Sequence, residues 1–202
     1  ACGVLARDAA KAGVPLVLVS TDFVFDGQAK APYSEAAPTS PRSVYGATKL
    51  DGEAQALAAH PEGAKVVRTQ WLYGPGGGNF VASILRAAAD GRELRVVEDE
   101  IGRPTYAPDL ADAIWRLLAS DARGTFHLAG QGSCSRYELA RAALDEAGMS
   151  ETPVDRMLSA DWDSPTVRPL DTRLGDSRLA EAGVEALRPW REALREYVKT
   201  LA

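Results

Sequence analysis

Apolar positions along this chain alternate between two spacings. Residues 1–12 place Val4, Leu5 and Ala9 on one side of a predicted helix that Gly13 stops. "VPLVLVS" (14–20) is a continuous, β-branched apolar run, the pattern of a strand buried on both faces of a parallel sheet. A polar, Pro-rich loop follows over 26–41, then a predicted helix over 43–59 and a second buried strand, "AKVVRT" (64–69). "YGPGGG" (73–78) reads as a loop, and Asn79 is placed to cap a helix running to Ala89. "LRVV" (94–97) is a short strand. A helix with Pro108 near its start comes next, then the strand "GTFHLAG" (124–130). Ser135 and Glu138 form a capping box at the head of a helix to Ala147. A last helix follows Pro189. Residues 149–175 are less regular and richer in Pro, Asp and Thr.

Strands alternating with helices predict an α/β fold, a Rossmann-like doubly wound sheet that is mainly parallel. In such folds ligands bind beyond the carboxyl edge of the strands, and the irregular stretch 149–175 is expected to lie there. With 202 residues, 46% hydrophobic and 25% charged, the chain has the composition of a globular protein. Its net charge of −5 gives no general attraction to nucleic acid or to an anionic membrane, and no apolar run approaches the length of a membrane-spanning helix. Cys2 and Cys134 lie far apart with no CxxC, which reads as free thiols in a reducing cytoplasm. His60 and His127 are isolated, so no metal-ligand spacing appears.

Three residues carry candidate chemistry. Tyr45 and Lys49 are four apart on a predicted helix and share a face. A free phenol ionises near pH ~10 and is a weak acid–base group at neutral pH, whereas an ammonium one turn away favours the phenolate by its charge. Such pairs also occur on ordinary helices. Thr21 follows an apolar strand directly, so its hydroxyl sits at the carboxyl edge, either capping a turn or meeting a carbonyl. Together the three can polarise a C=O, protonate it and anchor a ribose.

The stretches "VSTDFVFDG", "PYSEAAPTSPRSVYGATKLDGE", "VVRTQWLYGPGGGNFVASILRAAADGRELRVVEDEIGRPTYAPDLA" and "VRPLDTRL" occur in this order from Val14 almost to the end. They resemble the extended short-chain dehydrogenase/reductase superfamily and, within it, the dTDP-4-dehydrorhamnose reductase family. The resemblance implies NADPH- or NADH-dependent reduction of the 4-keto group of dTDP-4-dehydro-6-deoxy-L-mannose to dTDP-L-rhamnose. It makes Tyr45 the proton donor, Lys49 the ribose anchor and Thr21 a hydrogen-bond partner of the reacting oxygen. Ser20, Tyr45, Lys49 and Trp71 become the cofactor-binding set, with Asp22, Phe23, Asn79, Arg103 and Thr105 toward the substrate. Sugar-nucleotide dehydratases of this superfamily carry Asp-Glu after the strand Thr. Here Asp22 and Phe23 follow, which favours simple ketone reduction. Asp22 either touches the sugar or bonds nearby amides, Trp71 either packs on a ligand or fills the core, and Arg103 either meets the diphosphate or is solvated. Gly76, Gly77 and Gly78 lack the GK[ST] of a phosphate loop and read as a flexible connection.

No GxGxxG or GxxGxxG occurs anywhere in the sequence. About half of a nucleotide-binding domain is therefore expected outside these residues, and the 202 residues alone are expected to bind NADPH weakly and to be inactive. Residues 1–72 are expected to hold the rest of that domain and the Thr/Tyr/Lys set. Residues 73–202 are expected to form a mixed substrate-binding subdomain with elements returning to the sheet. A non-catalytic regulatory subunit of the same family and a reductase or epimerase of another nucleotide-linked keto-sugar are the competing readings. A homodimer and a magnesium requirement are not legible in the residues.

Overall fold

The computed structural model describes residues 1–163, 166 and 168–201. Its frame is a three-stranded parallel sheet of β1 (Leu16–Thr21), β2 (Ala64–Thr69) and β7 (Gly124–His127), with β2 in the middle. In register, Thr21 stands beside Thr69 and Arg68 beside His127, so the carboxyl ends of the strands share one edge. Every residue of β2 is buried. That is why its apolar residues do not alternate with exposed polar ones, and why its two charged side chains need partners inside.

The pleat sends alternate residues to opposite faces. Arg68 points toward α2 (Val44–Ala59), where Glu53 receives it. Lys65 points the other way, to the end of α4 (Ala107–Ala119), and donates to the carbonyls of Leu118 and Ser120 at 3.1 and 2.9 Å. Val67 and Phe126 pack on Leu110 and Leu117 of α4. α1 (Cys2–Ala12) lies against α2 and ends at Gly13 in the left-handed conformation with φ 67°.

The remaining elements build a second body of short pieces: β3 (Leu72–Tyr73), α3 (Phe80–Ala89), β4 (Arg95–Val97), β5 (Ile101–Gly102), β6 (Thr105–Tyr106), β8 (Cys134–Ser135), α5 (Arg136–Glu146), β9 (Asp155–Met157) and α6 (Trp190–Lys199). β3 pairs with β6 and β4 with β9, both parallel, while β5 and β8 are antiparallel. Tyr73, Tyr106, Tyr197 and Trp190 join β3, β6, β8, α3, α5 and α6 in one apolar cluster, and Val96 of β4 packs with Ile84 and Leu144 in another.

Both anticipated caps form. Asn79 accepts from the Ala82 amide at 3.0 Å, and Ser135 and Glu138 make a reciprocal capping box. The strand expected over 124–130 stops pairing at His127. Beyond it the chain turns so that Gly130 meets the Pro104 carbonyl so closely that a Cβ would lie 2.2 Å from its oxygen. The irregular stretch contains β9, which the sequence pattern did not reveal because three residues carry no periodicity. Among the described residues, no helix is long and apolar enough to cross a membrane, and no three His, Cys, Asp or Glu side chains gather to hold a metal ion.

Candidate active site

β1 ends at Thr21, whose hydroxyl accepts from the Phe23 amide at 3.2 Å and so starts a single turn over Asp22–Val24. The same hydroxyl donates to Asp22 Oδ1 at 3.1 Å, and Thr172 donates to Asp22 Oδ2 at 2.5 Å. Burial pushes the Asp22 carboxyl up to about 6, although the bonds from Thr172 and Thr21 pull the other way. Thr172 belongs to a segment that returns over the sheet edge, held where the Ile101 amide donates to the Leu170 carbonyl at 2.6 Å.

α2 is docked beside this turn. Ser43 caps it by accepting from the Gly46 amide at 3.1 Å. Gly46 lies so close to the turn that a Cβ there would be 2.2 Å from the Phe23 carbonyl oxygen. That approach sets the height of Tyr45 and Lys49. Lys49 Nζ donates to the Val19 carbonyl at 2.7 Å, which ties the helix face to β1 two residues before Thr21. Tyr45 is 53% exposed, and the edge of one ring meets the other with Phe23 at 5.8 Å and 83°. Its hydroxyl has no hydrogen-bond partner among the described residues. Thr21, Phe23, Tyr45 and Lys49 therefore meet at one end of β1.

Ser20 points to the opposite face and donates to Glu53, which accepts from Arg68 Nε and Nη2 at 3.0 and 2.7 Å. Its hydroxyl is thus engaged inside the sheet packing. Asn79, besides capping α3, donates to the Tyr197 hydroxyl at 2.8 Å. Buried Arg103 donates from Nε to the Gly130 carbonyl at 2.8 Å, from Nη1 to the Leu174 carbonyl and from Nη2 to Asp176 at 3.0 Å. The Thr105 hydroxyl donates to the Arg103 carbonyl at 3.1 Å and accepts from the Gly130 amide at 3.2 Å. These last three residues bind loops to one another, and none lines the cavity described next.

That cavity, about 520 Å³, opens among Phe80, Val96, Glu100, Arg136, Trp162 and Arg168. Its volume suits a small ligand. Trp71 lies behind it with φ 49°, its ring packed on Gly102 and covered by the Arg136 guanidinium at 3.7 Å. Glu100 precedes Ile101, whose carbonyl accepts from the Thr172 amide at 3.3 Å, and Thr172 donates to Asp22, which links the cavity to the end of β1. Reading the residues in order singled out neither Glu100 nor Arg136. Arg136 opens the helix whose capping box was legible, but nothing in the local pattern tells that its side chain turns toward Trp71.

The chain is similar to the spore coat polysaccharide biosynthesis protein SpsK of Bacillus subtilis (strain 168), 40% identical over 194 residues, with 96% of this chain and 67% of that protein covered. It is 41% identical over 197 residues to a dTDP-4-dehydrorhamnose reductase of Streptomyces griseus, with 95% and 65% covered. The chain therefore spans about two thirds of the length of these relatives. The crystal structure of the dTDP-4-dehydrorhamnose reductase of Bacillus anthracis str. Ames in complex with NADP superposes with a TM-score of 0.94 at 32% identity, over 98% of this chain and 70% of that one. The family model described as the RmlD substrate binding domain matches residues 1–202, and this chain belongs to that family.

Proposed function

We propose that the protein takes part in the NADPH-dependent reduction of the 4-keto group of a dTDP-linked 6-deoxy sugar, dTDP-4-dehydro-6-deoxy-L-mannose, to dTDP-L-rhamnose. The observation that carries this reading is the meeting of Thr21, Tyr45 and Lys49 at the carboxyl end of β1, with Lys49 bonded to the Val19 carbonyl and the Tyr45 phenol open. Its agreement with relatives of that printed activity supports it.

The nicotinamide supplies a hydride. The residues present fit its ribose end. The Lys49 ammonium is held on the strand edge with donors to spare, and Tyr45 offers a hydroxyl that no described residue occupies. A glycine-rich turn for the pyrophosphate does not occur in the sequence. Tyr45 then gives its proton to the substrate's keto oxygen as that oxygen gains charge. Lys49 steadies the phenolate left behind and keeps the helix face against β1. Thr21 can donate to the same oxygen by turning its hydroxyl away from Asp22. Phe23 holds the Tyr45 ring edge-on, which limits the directions the phenol can take.

The test is the full-length protein with dTDP-4-keto-6-deoxy sugar and NADPH, following nucleotide oxidation. Tyr45→Phe is expected to lower kcat by roughly 10²–10⁴-fold and to leave the melting temperature unchanged, because the lost hydroxyl bonds nothing among the described residues. Turnover near that of the unmutated protein would remove Tyr45 as the proton donor.

A further inference from the structure

Glu100 is 4% exposed and lines the cavity, yet its Oε1 has no hydrogen-bond partner. Its other oxygen meets Arg136 Nε at only 3.5 Å. Arg136 is clamped by aromatic faces, with Trp71 at 3.7 Å and Phe80 at 5.2 Å. Neither of its Nη atoms has a hydrogen-bond partner among the described residues, and its side chain also lines the cavity. Burial pulls the guanidinium down from its ordinary value, while Glu100 and Asp22 offset part of that. An unpartnered buried acceptor and two neighbouring unpartnered donors thus belong to side chains that line one cavity. Leaving such groups unpaired is costly, so the arrangement is built for a ligand that pairs them.

The position narrows what that ligand presents. Ile101, the residue after Glu100, accepts from the Thr172 amide at 3.3 Å, and Thr172 donates to Asp22, beside Thr21. The pair therefore sits at the reaction-centre end. Trp162, with the Arg168 guanidinium 4.6 Å from its ring, supplies the flat surface and the charge suited to a nucleotide elsewhere on the wall. What meets Glu100 and Arg136 is then the sugar ring near its carbonyl, and the groups it carries there are hydroxyls.

We propose that Glu100 and Arg136 are a specificity-determining pair that reads a vicinal diol on the sugar, Glu100 Oε1 accepting from one hydroxyl and an Arg136 Nη donating to its neighbour. This rests on the reading that the cavity receives the sugar end of a nucleotide sugar. A site with buried polar groups of this kind rejects a ligand lacking the hydroxyl more strongly than an apolar site rejects an added one, because the deoxy ligand leaves those groups unpaired. The substrate class is accordingly keto-sugars that keep both ring hydroxyls, and 2-deoxy or 2,3-dideoxy sugars are excluded.

Calorimetry on the full-length protein tests this without turnover, using dTDP-L-rhamnose, its 2-deoxy and 2,3-dideoxy analogues, and dTDP alone. The expected preference for dTDP-L-rhamnose over the dideoxy ligand is on the order of 10²-fold, the size of a charge-assisted hydrogen bond with its neighbour. Glu100→Gln is expected to reduce that preference about tenfold and to leave dTDP affinity alone. Equal affinities for the three sugars, or no binding of dTDP-L-rhamnose, overturn the inference. So does Glu100→Gln weakening dTDP as much as the sugar nucleotide, since the pair would then read the base or diphosphate. The comparison of ligands on the unmutated protein decides even if the variant fails to fold. Absence of keto-sugar turnover with the diol preference intact would sink the reductase reading and leave this inference standing.

Discussion

Glu53–Arg68 and Glu100–Arg136 are both buried glutamate–arginine pairs, but they spend their hydrogen-bonding capacity differently. Glu53 accepts from Arg68 Nε on both oxygens, at 3.0 and 3.2 Å, from Nη2 at 2.7 Å, and from Ser20. Only Arg68 Nη1 is left over, within reach of nothing but the interior, and the guanidinium lies 5.2 Å from the Phe25 ring. The Glu100 and Arg136 side chains touch through a single 3.5 Å contact, beside a 3.2 Å bond from the Arg136 amide to the Glu100 carbonyl, and both line a 520 Å³ cavity. The first pair locks α2 to the middle strand and so fixes the height at which Tyr45 and Lys49 stand. The second locks little and is ready for a ligand. Residue types are the same in both and burial is similar, the Arg136 side chain being 16% exposed against 6% for Arg68. What separates a structural ion pair from a recognition pair is whether the protein itself completes the bonds.

This contrast is open to attack at three strengths. The largest stability effect is expected at the saturated pair. Glu53→Gln leaves a charged Arg68 buried without its counter-ion, and such breaks cost about 3–5 kcal/mol. Urea unfolding is the measurement, and a loss below about 1 kcal/mol, the scale of an exposed pair, would show that Arg68 finds water instead.

A second test uses the titratable neighbour of each pair. Asp22, on the Arg136 side, is held at about 6 against an ordinary 3.8 by burial. Between those values the folded state keeps a proton that the unfolded state has released, so stability falls as pH rises through this window and is level above it. His127, on the Arg68 side, is pushed down to about 4 from 6.5, chiefly by burial, with the Glu35 charge opposing and Arg68 adding to the depression. There the unfolded state holds the extra proton, so stability rises from about pH 4 to about 6.5. The two slopes oppose each other in the unmutated protein. Asp22→Asn removes the falling one, and its stability is expected to climb over this range by roughly 3 kcal/mol more than that of the unmutated protein. Denaturation midpoints at four values of pH across the window would decide, and parallel curves would mean that Asp22 is not the group responsible.

The smallest effect is expected at the open pair. Without ligand, Glu100→Gln should change stability by less than about 1 kcal/mol, since it gives up one long contact. If it proves as damaging as Glu53→Gln in the same urea titration, Glu100 is a structural residue and the contrast between the pairs collapses.

Much of this was written locally in the chain. The β-branched run before Ser20, the i, i+4 spacing of Tyr45 and Lys49, the Asn79 cap and the Ser135–Glu138 box depend on neighbours in sequence. The caps and the helix spacing formed because hydrogen bonds of short reach need no distant partner. The apolar run also formed its strand, paired with β2 on one side and with Val19 39% exposed rather than buried on both faces. The parallel order β1–β2–β7 is what alternating strands and helices impose. Of the two- and three-residue strands, β4 was legible as the apolar run 94–97, whereas β3, β5, β6, β8 and β9 were not, since each is shaped by the segment it meets rather than by a period of its own. Nor was the fate of individual polar side chains. Ser20, Asn79, Arg103 and Thr105 are ordinary polar residues in a quoted stretch of sequence, and only the folded chain shows their hydrogen bonds going to Glu53, Tyr197, Leu174 and Gly130. Glu100 and Arg136, thirty-six positions apart, become a pair only where β5 and β8 align. The sequence by itself determined which of the longer elements form and which end of the sheet carries Thr21, Tyr45 and Lys49. The tertiary structure alone decided which polar groups are used up inside and which are left facing a cavity, because hydrogen-bond satisfaction is a property of three-dimensional neighbours and leaves no trace in local pattern.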